Sequence, residues 1–547
     1  MFTRLSHALK PGSRIGLKAR SCVAALGLAA ASVAVAPGVA AADTAALPAP
    51  TQYTTWPAPA NGNPLDPCGQ QEPYGYVGLS ISDLTFSATA NGGPTDSQVA
   101  AHFQIWPVDS PSTVTDATSI TLPPGDTVSV SVPNSVFTDG GTYAWRVRDE
   151  TSTAVSDWTT PCHFIRLLTS PSAPTITSAA FPATGSTPIR TYGTFTFSVP
   201  TPTRVVGFEY LLNGGLFGVG GGNPYVPIGA DGTATTPPLA SGQWGTNILK
   251  VQSVDMAGDV SGVATYSFYL VDTRTHADKH GDLNGDGNPD LLAVGADGKL
   301  YDAAGLGNGN VAAPTAETAL APRYPETWNP SLIASGGDFS NDWFEDLAVI
   351  QDGALYLYRG TGLGDFHSAP TYVQPPSTQP NWSQATALVA PGDLNGDGRA
   401  DLVVKQGGQL LFLAGFFGGS FNDPAPIATG TNWSGMTVVG ITDVTGDGVP
   451  DLIARTDKTG VVWMYPGAGD GTFGTATTRV RIGSGLSAAD YPLLETKGDV
   501  TGDGHADIWA VGKSGGLFLV KGTKSGGFGR PVEISCSAFW HSVTALG

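Results

Sequence analysis

Five times in the C-terminal half of the chain, an aspartate opens a nine-residue run with further oxygen-bearing side chains at spacings of two. The copies are Asp282-Leu-Asn-Gly-Asp-Gly-Asn-Pro-Asp290, Asp338-Phe-Ser-Asn-Asp-Trp-Phe-Glu-Asp346, Asp393-Leu-Asn-Gly-Asp-Gly-Arg-Ala-Asp401, Asp443-Val-Thr-Gly-Asp-Gly-Val-Pro-Asp451 and Asp499-Val-Thr-Gly-Asp-Gly-His-Ala-Asp507. Calcium takes six to eight hard oxygens, and a spacing of two lets alternate side chains converge on one point. The spacing assigns Asp282, Asn284, Asp286 and Asp290 as side-chain ligands, with the Asn288 carbonyl at position 7. The third loop offers Asp393, Asn395, Asp397, Asp401 and the Arg399 carbonyl; the fourth, Asp443, Thr445, Asp447, Asp451 and the Val449 carbonyl. The fifth offers Asp499, Thr501, Asp503, Asp507 and the His505 carbonyl.

The second loop is the irregular one: Asp338, Ser340, Asp342, Asp346 and the Phe344 carbonyl. Ser340 replaces Asn there and Trp343 replaces the glycine at position 6, which leaves its occupancy open, although Asn341 tolerates a left-handed backbone. In the other loops glycines at positions 4 and 6 permit the sharp turns. An EF-hand would need a bidentate Glu at position 12 between flanking helices, and neither is present. The expected cofactor is therefore Ca²⁺, about five ions, bound at roughly 10⁻⁴ to 10⁻³ M as in other extracellular sites. Without metal, three carboxylates crowd each loop and repel one another.

Successive loops start 56, 55, 50 and 56 residues apart. That period suits a four-stranded β-propeller blade. An apolar strand follows each loop: Leu291-Leu-Ala-Val294, Leu347-Ala-Val-Ile350, Leu402-Val-Val404, Leu452-Ile-Ala454 and Ile508-Trp-Ala-Val511. A tight turn, a second strand and a Gly-rich turn come next, as in Gly360-Thr-Gly-Leu-Gly-Asp-Phe366 and Gly467-Ala-Gly-Asp-Gly-Thr-Phe473. Segments opening on Trp328, Trp382 and Trp433 precede the next loops, and the one due before the first loop is missing. Phe539-Trp-His-Ser-Val-Thr-Ala-Leu-Gly547 supplies its equivalent, so the C-terminal strand is expected to complete the first of five blades and remove exposed sheet edges.

These motifs resemble the FG-GAP/VCBS repeats of integrin α-subunit propellers and their secreted bacterial relatives. The resemblance covers half the chain and implies a calcium-binding propeller. Integrin propellers have seven blades, so five is a departure, and integrin ligand specificity does not carry over.

At 547 residues the chain is too long for one core. It holds 73 Gly and 42 Pro yet is 41% hydrophobic, a balance that favours turn-rich β-structure. Its 38 Asp against 8 Glu fits tight turns and metal loops. A net charge of −19 excludes nucleic acid as a partner.

The N-terminus reads as an export signal over residues 1–42. Arg4, Lys10, Arg14, Lys18 and Arg20 precede an apolar stretch from Val23 to Ala36, and Ala40-Ala41-Ala42 offers a cleavage site. The expected location is extracellular, with no transmembrane segment. Cys22 would leave with the signal, and of the rest Cys68 is expected to pair with Cys162, with Cys536 left over.

Residues 43–67 read as a linker. Residues 68–170 and 171–272 each read as an immunoglobulin or fibronectin III-like sandwich, and 273–547 as the propeller, giving an all-β chain. In the first module strands are expected at Leu79 to Phe86, Ala101 to Pro107, Thr127 to Val132 and Gly141 to Arg148. In the second they are expected at Gly193 to Ser198, Val205 to Leu212 and Asn247 to Val254, with a turn at Asp255 to Asp259. Enzyme signals are weak. Gly512-Lys-Ser-Gly-Gly516 matches a nucleophile elbow only in letters, because it joins two strands. His276 and His280 lie in a segment that reads as a solvated linker. The reading is a secreted binding or adhesion module for an extracellular glycan or protein surface. A hydrolase with its site in the propeller channel is the alternative, and a structural spacer the third.

Overall fold

In the computed structural model, described for residues 47–62, 66, 68–79, 83–93, 96–217, 223–317, 327–374 and 381–547, regular structure is almost entirely strand, with a few short 3-10 turns. The expected export signal lies outside the described residues.

The first module packs two sheets. One orders Thr51–Trp56, Asp83–Thr89 and Thr127–Pro133; the other orders Gly75–Val77, Cys162–Arg166, Thr142–Glu150, Ala100–Pro107 and Thr115–Thr118. Thr127–Pro133 alternates buried valines with exposed residues, the period-two pattern of a strand with one wet face. Its core closes around Trp145, Phe86, Phe103 and Phe164, and Cys68 and Cys162 are joined by a disulfide with Cα atoms 4.7 Å apart. Cys536 is free and exposed. One correction concerns the expected linker: Thr51–Trp56 is an edge strand of this sandwich, antiparallel to Asp83–Thr89. Tyr53 sets its ring edge-on to Trp145 at 5.9 Å, an anchor that the Pro/Ala-rich flanks hide.

The second module orders Thr187–Pro188, Ala264–Val271, Gly245–Asp255, Val205–Leu212 and Tyr225–Pro227 in one sheet, against Thr233–Thr235, Thr196–Ser198 and Thr175–Thr177 in the other. Ala264–Val271 is a strand absent from the sequence reading. The expected strand from Gly193 is shorter, its first residue making only an isolated bridge to Leu239.

Five four-stranded sheets follow. The second runs through Leu332–Gly337, Asp346–Gln351, Ala354–Tyr358 and Thr371–Val373 in order. The third opens on Ala385–Gly392, the fourth on Met436–Thr442 and the fifth on Leu493–Glu495, each continuing likewise. The first sheet is completed from the far end of the chain. Ala545–Leu546 pairs antiparallel with Leu291–Val294, which continues to Leu300–Ala303 and Thr315–Ala316. The opening strands touch in sequence, 332–337 with 385–392, then 436–442, 493–495 and 545–546, which returns to 332–337.

Hydrophobic clusters bind each sheet to the next. Leu292 and Trp328 pack with Leu347 and Tyr358, and the last cluster joins Trp509 and Leu517 of the fifth sheet to Leu291, Ala293 and Trp540. Strands such as Leu291–Val294 are buried on both faces, hence their uninterrupted apolar sequence. Trp433 and Trp540 are each 1% exposed, and truncating a core tryptophan costs about 3–5 kcal/mol.

Candidate metal loops and inter-sheet grooves

All five nonapeptides adopt one conformation, because the same hydrogen bonds recur. The aspartate at position 1 accepts backbone N–H groups from the turn above it: Gly285 and Gly287 to Asp282 at 2.7 and 2.8 Å, Gly396 and Gly398 to Asp393 at 2.8 and 2.7 Å. Gly446 and Gly448 bond Asp443, and Gly502 and Gly504 bond Asp499, in the same way. Position 5 accepts the N–H of position 7, as Asn288 to Asp286, Arg399 to Asp397, Val449 to Asp447 and His505 to Asp503. Position 9 ties the loop to its own sheet. Asp290, Asp346, Asp401, Asp451 and Asp507 each accept the N–H of a glycine beyond the following hairpin, Gly305, Gly360, Gly415, Gly467 and Gly522.

The second loop keeps this frame despite its irregular sequence. Asp338 accepts from Asp342 and Trp343, Asp342 from Phe344, and Asp346 from Ser340. Trp343 occupies the glycine position at φ +73° and Asn341 sits at +59°, a backbone region that bulky residues rarely adopt. The surroundings hold them there. Phe344 is fully buried in the core of the second sandwich, and the Arg274 guanidinium lies 3.8 Å over its ring while donating to the Asp342 carbonyl. Arg190 pairs with Asp278, Tyr192 donates to Asp365, and Trp343 stays half exposed beside Arg274.

The segment from 273 to 281 is anchored at Arg274, Asp278 and His280, which corrects the sequence reading there, while His276 and Lys279 are exposed as a solvated linker would have them. The side chains of Arg274 and Asp278 are 6% and 5% exposed. His280 crowds Gly336 closely enough that a Cβ there would fall 2.5 Å from its ring, and burial with the nearby Lys497 lowers its pKa to about 4. Lys497 itself bonds Glu495 at 3.0 Å and the Ser335 carbonyl at 2.6 Å.

Among the described residues no three His, Cys, Asp or Glu side chains converge as a metal-holding group. The chemistry of the donor set nonetheless fits a hard divalent cation. Positions 1, 3, 5 and 9 carry only oxygen acceptors or amides, and Oδ2 of Asp342 is buried without a partner. Burial raises Asp290 to about 7 and Asp401 to about 6, and also raises Asp282, Asp342, Asp346, Asp451 and Asp507. Carboxylates so disfavoured as anions are stabilised by a nearby positive charge.

Two grooves lie between consecutive sheets, beside these loops. One, of about 260 Å³, is bounded by Asp338 and Asn341 of the second loop, Asp397 and Arg399 of the third, and Phe416 and Phe417. Phe417 is 72% exposed, with the Arg399 guanidinium 4.4 Å over its ring. The other, of about 590 Å³, lies between the fourth and fifth loops. Neither aromatic is among the residues singled out from sequence. A signal does exist: the residue two after the pinned glycine is Gly307, Gly362 and Gly469 in three repeats, but Phe417 and Lys524 in the other two.

A family model described as an FG-GAP-like repeat matches residues 338–404, from the second loop through the strand after the third. No curated protein matches the chain. Solved structures with some likeness include an Agrocybe aegerita lectin recognising non-reducing terminal N-acetylglucosamine, at 17% identity over 69% of this chain and 84% of that one, TM-score 0.30. Clostridium thermocellum CbhA fibronectin(III)-like modules match at 13% identity over 38% and 97%, TM-score 0.26. Chicken CNTN1 FN1–FN3 domains match at 11% over 39% and 67%, TM-score 0.25. At such TM-scores none of the three argues for a ligand. Among the described residues no helix is long and apolar enough to cross a membrane.

Proposed function

We propose that the chain is an exported binding protein in which a five-bladed, calcium-stabilised β-propeller, carried on two immunoglobulin or fibronectin III-like sandwiches, holds an extracellular glycan. Supporting the ring are the cyclic contacts of the opening strands and the pairing of Ala545–Leu546 with Leu291–Val294. Supporting calcium are the repeated oxygen donors and the raised carboxyl pKa values of the loops. When bound, the ions would neutralise those carboxylates and hold the loops that wall the grooves.

The observation that carries the binding reading is Phe417, exposed beside Arg399 in a concave groove with Asn341 and Asp397. Aromatic faces flanked by a few directional polar groups suit the apolar face and hydroxyls of a sugar ring. A stable protein partner would need about 800 Å² on each side, and this aromatic surface is confined to one groove. A glycan array probed with the intact chain in calcium, with chelator, and as the Phe416→Ala/Phe417→Ala variant tests the proposal. Binding should fall at least tenfold in both altered conditions, about 1.4 kcal/mol. Unchanged binding by the variant, or no glycan bound at all, contradicts it.

A further inference from the structure

The grooves differ in chemistry at equivalent positions of the repeat. Phe417 and Lys524 each stand two residues after the pinned glycine, and Arg399 and His505 each occupy position 7 of the loop. Three repeats place glycine at the first of these positions, at φ +67°, +67° and +76°, and so present no side chain there. Where the groove between the second and third sheets is aromatic, that between the fourth and fifth is basic. Arg481, Lys524 and His505 line it together with Asp443, Met464 and Ile482.

Arg481 and Lys524 are exposed, and among the described residues neither side chain makes a hydrogen bond or ion pair. Lys299, Lys458 and Arg530 are likewise exposed without a side-chain partner among the described residues, so what sets Arg481 and Lys524 apart is their place on the wall of one groove. Lys521, on the same turn as Lys524, pairs with Asp503 at 3.1 Å. Arg481 and Lys524 thus bring two uncompensated positive charges to one concave surface, where a single anionic ligand could meet both.

We infer that this groove takes an acidic sugar, its carboxylate or sulfate ester held by Arg481 and Lys524. A guanidinium offers two parallel N–H groups that match either anion, and the ammonium adds a compact second charge. The His505 ring lies at the wall, while Met464 and Ile482 give the apolar surface against which a pyranose ring packs. A long polyanion such as nucleic acid is strongly repelled by the net charge of −19, and a short acidic sugar far less so. The inference rests on the proposed reading that inter-sheet grooves bind glycans, but on a different groove, and the two fail separately.

Calorimetric titration of the full chain in calcium buffer tests it, with tetragalacturonate, its neutral methyl ester and a sulfated galactosamine oligosaccharide as probes. At least one acidic probe should bind, weaken as salt rises, and lose at least tenfold affinity in Arg481→Gln/Lys524→Gln. The methyl ester should bind less well than its acid. Binding of the uronate alone identifies a carboxylate ligand, and of the sulfated probe alone a sulfate ligand; either supports the site. Lys521→Gln and Phe417→Ala should leave acid binding unchanged. An unaltered thermal midpoint in the double variant shows that its fold is kept, as expected for two exposed side chains. The inference is overturned if neither acidic probe binds, if the double variant binds like wild type, or if Phe417→Ala alone abolishes binding, which would place the acid in the aromatic groove.

Discussion

Asp149 shows how a single carboxyl can set the pH behaviour of a module far from any loop. It is fully buried in the first sandwich; Oδ2 accepts the Asn91 N–H at 2.7 Å and Oδ1 has no partner. Burial raises its pKa. A group raised in the folded state stabilises that state below its unfolded value, about 4, and loses that contribution as pH climbs through the folded value. Asp149→Asn keeps an acceptor for Asn91 and removes the charge. Urea midpoints should therefore match wild type below about pH 4 and exceed it at neutral pH; parallel profiles across that range would refute this. At this scale the sequence was most legible where spacing repeats and least where a residue departs from it. Trp343 and Phe344 look alike as two aromatics on a loop, yet one is half exposed and the other sits in a neighbouring module's core. Only the arrival of Arg190 and Arg274 from outside the repeat separates them.

The strands after each loop were readable because burial on both faces forces an unbroken apolar run, as in Leu291–Val294. Edge strands were harder. Thr51–Trp56 lies in a Pro- and Thr-rich stretch, and its membership depends on the distant partner Asp83–Thr89. The closing element, Ala545–Leu546, is two residues long and has no periodicity of its own. Counting from Trp540 points to it, since that tryptophan repeats the role of Trp328 and Trp433. Removing residues 538–547 should strip the first sheet of its edge partner, uncover the Trp540 site and destroy cooperative thermal unfolding. Trp540→Ala alone should lower stability by about 3–5 kcal/mol. A truncated chain that melts like the full one would show that the pairing with Leu291–Val294 bears no weight.

At the scale of the whole molecule, the three modules are locked rather than strung. Arg204 pairs with Asp139 between the sandwiches at 2.6 Å, and Phe344 plugs the second sandwich from the second acidic loop. The all-β class and the repeat period were legible from composition and spacing. The grooves were not, because their walls come from a loop and a turn some fifty residues and more apart in sequence. Loops of the same repeated type wall both grooves, the second and third bounding one and the fourth and fifth the other, so the proposed function makes one demand above the others: the repeat region must respond to calcium. Metal-free chain should be titrated with Ca²⁺ while bound ions are counted by calorimetry and unfolding is followed by heat. Four to five ions should bind, and each site should add about 2.7 kcal/mol of stability once calcium reaches a hundredfold excess over its dissociation constant. No binding heat and an unmoved melting temperature would contradict the account at its base.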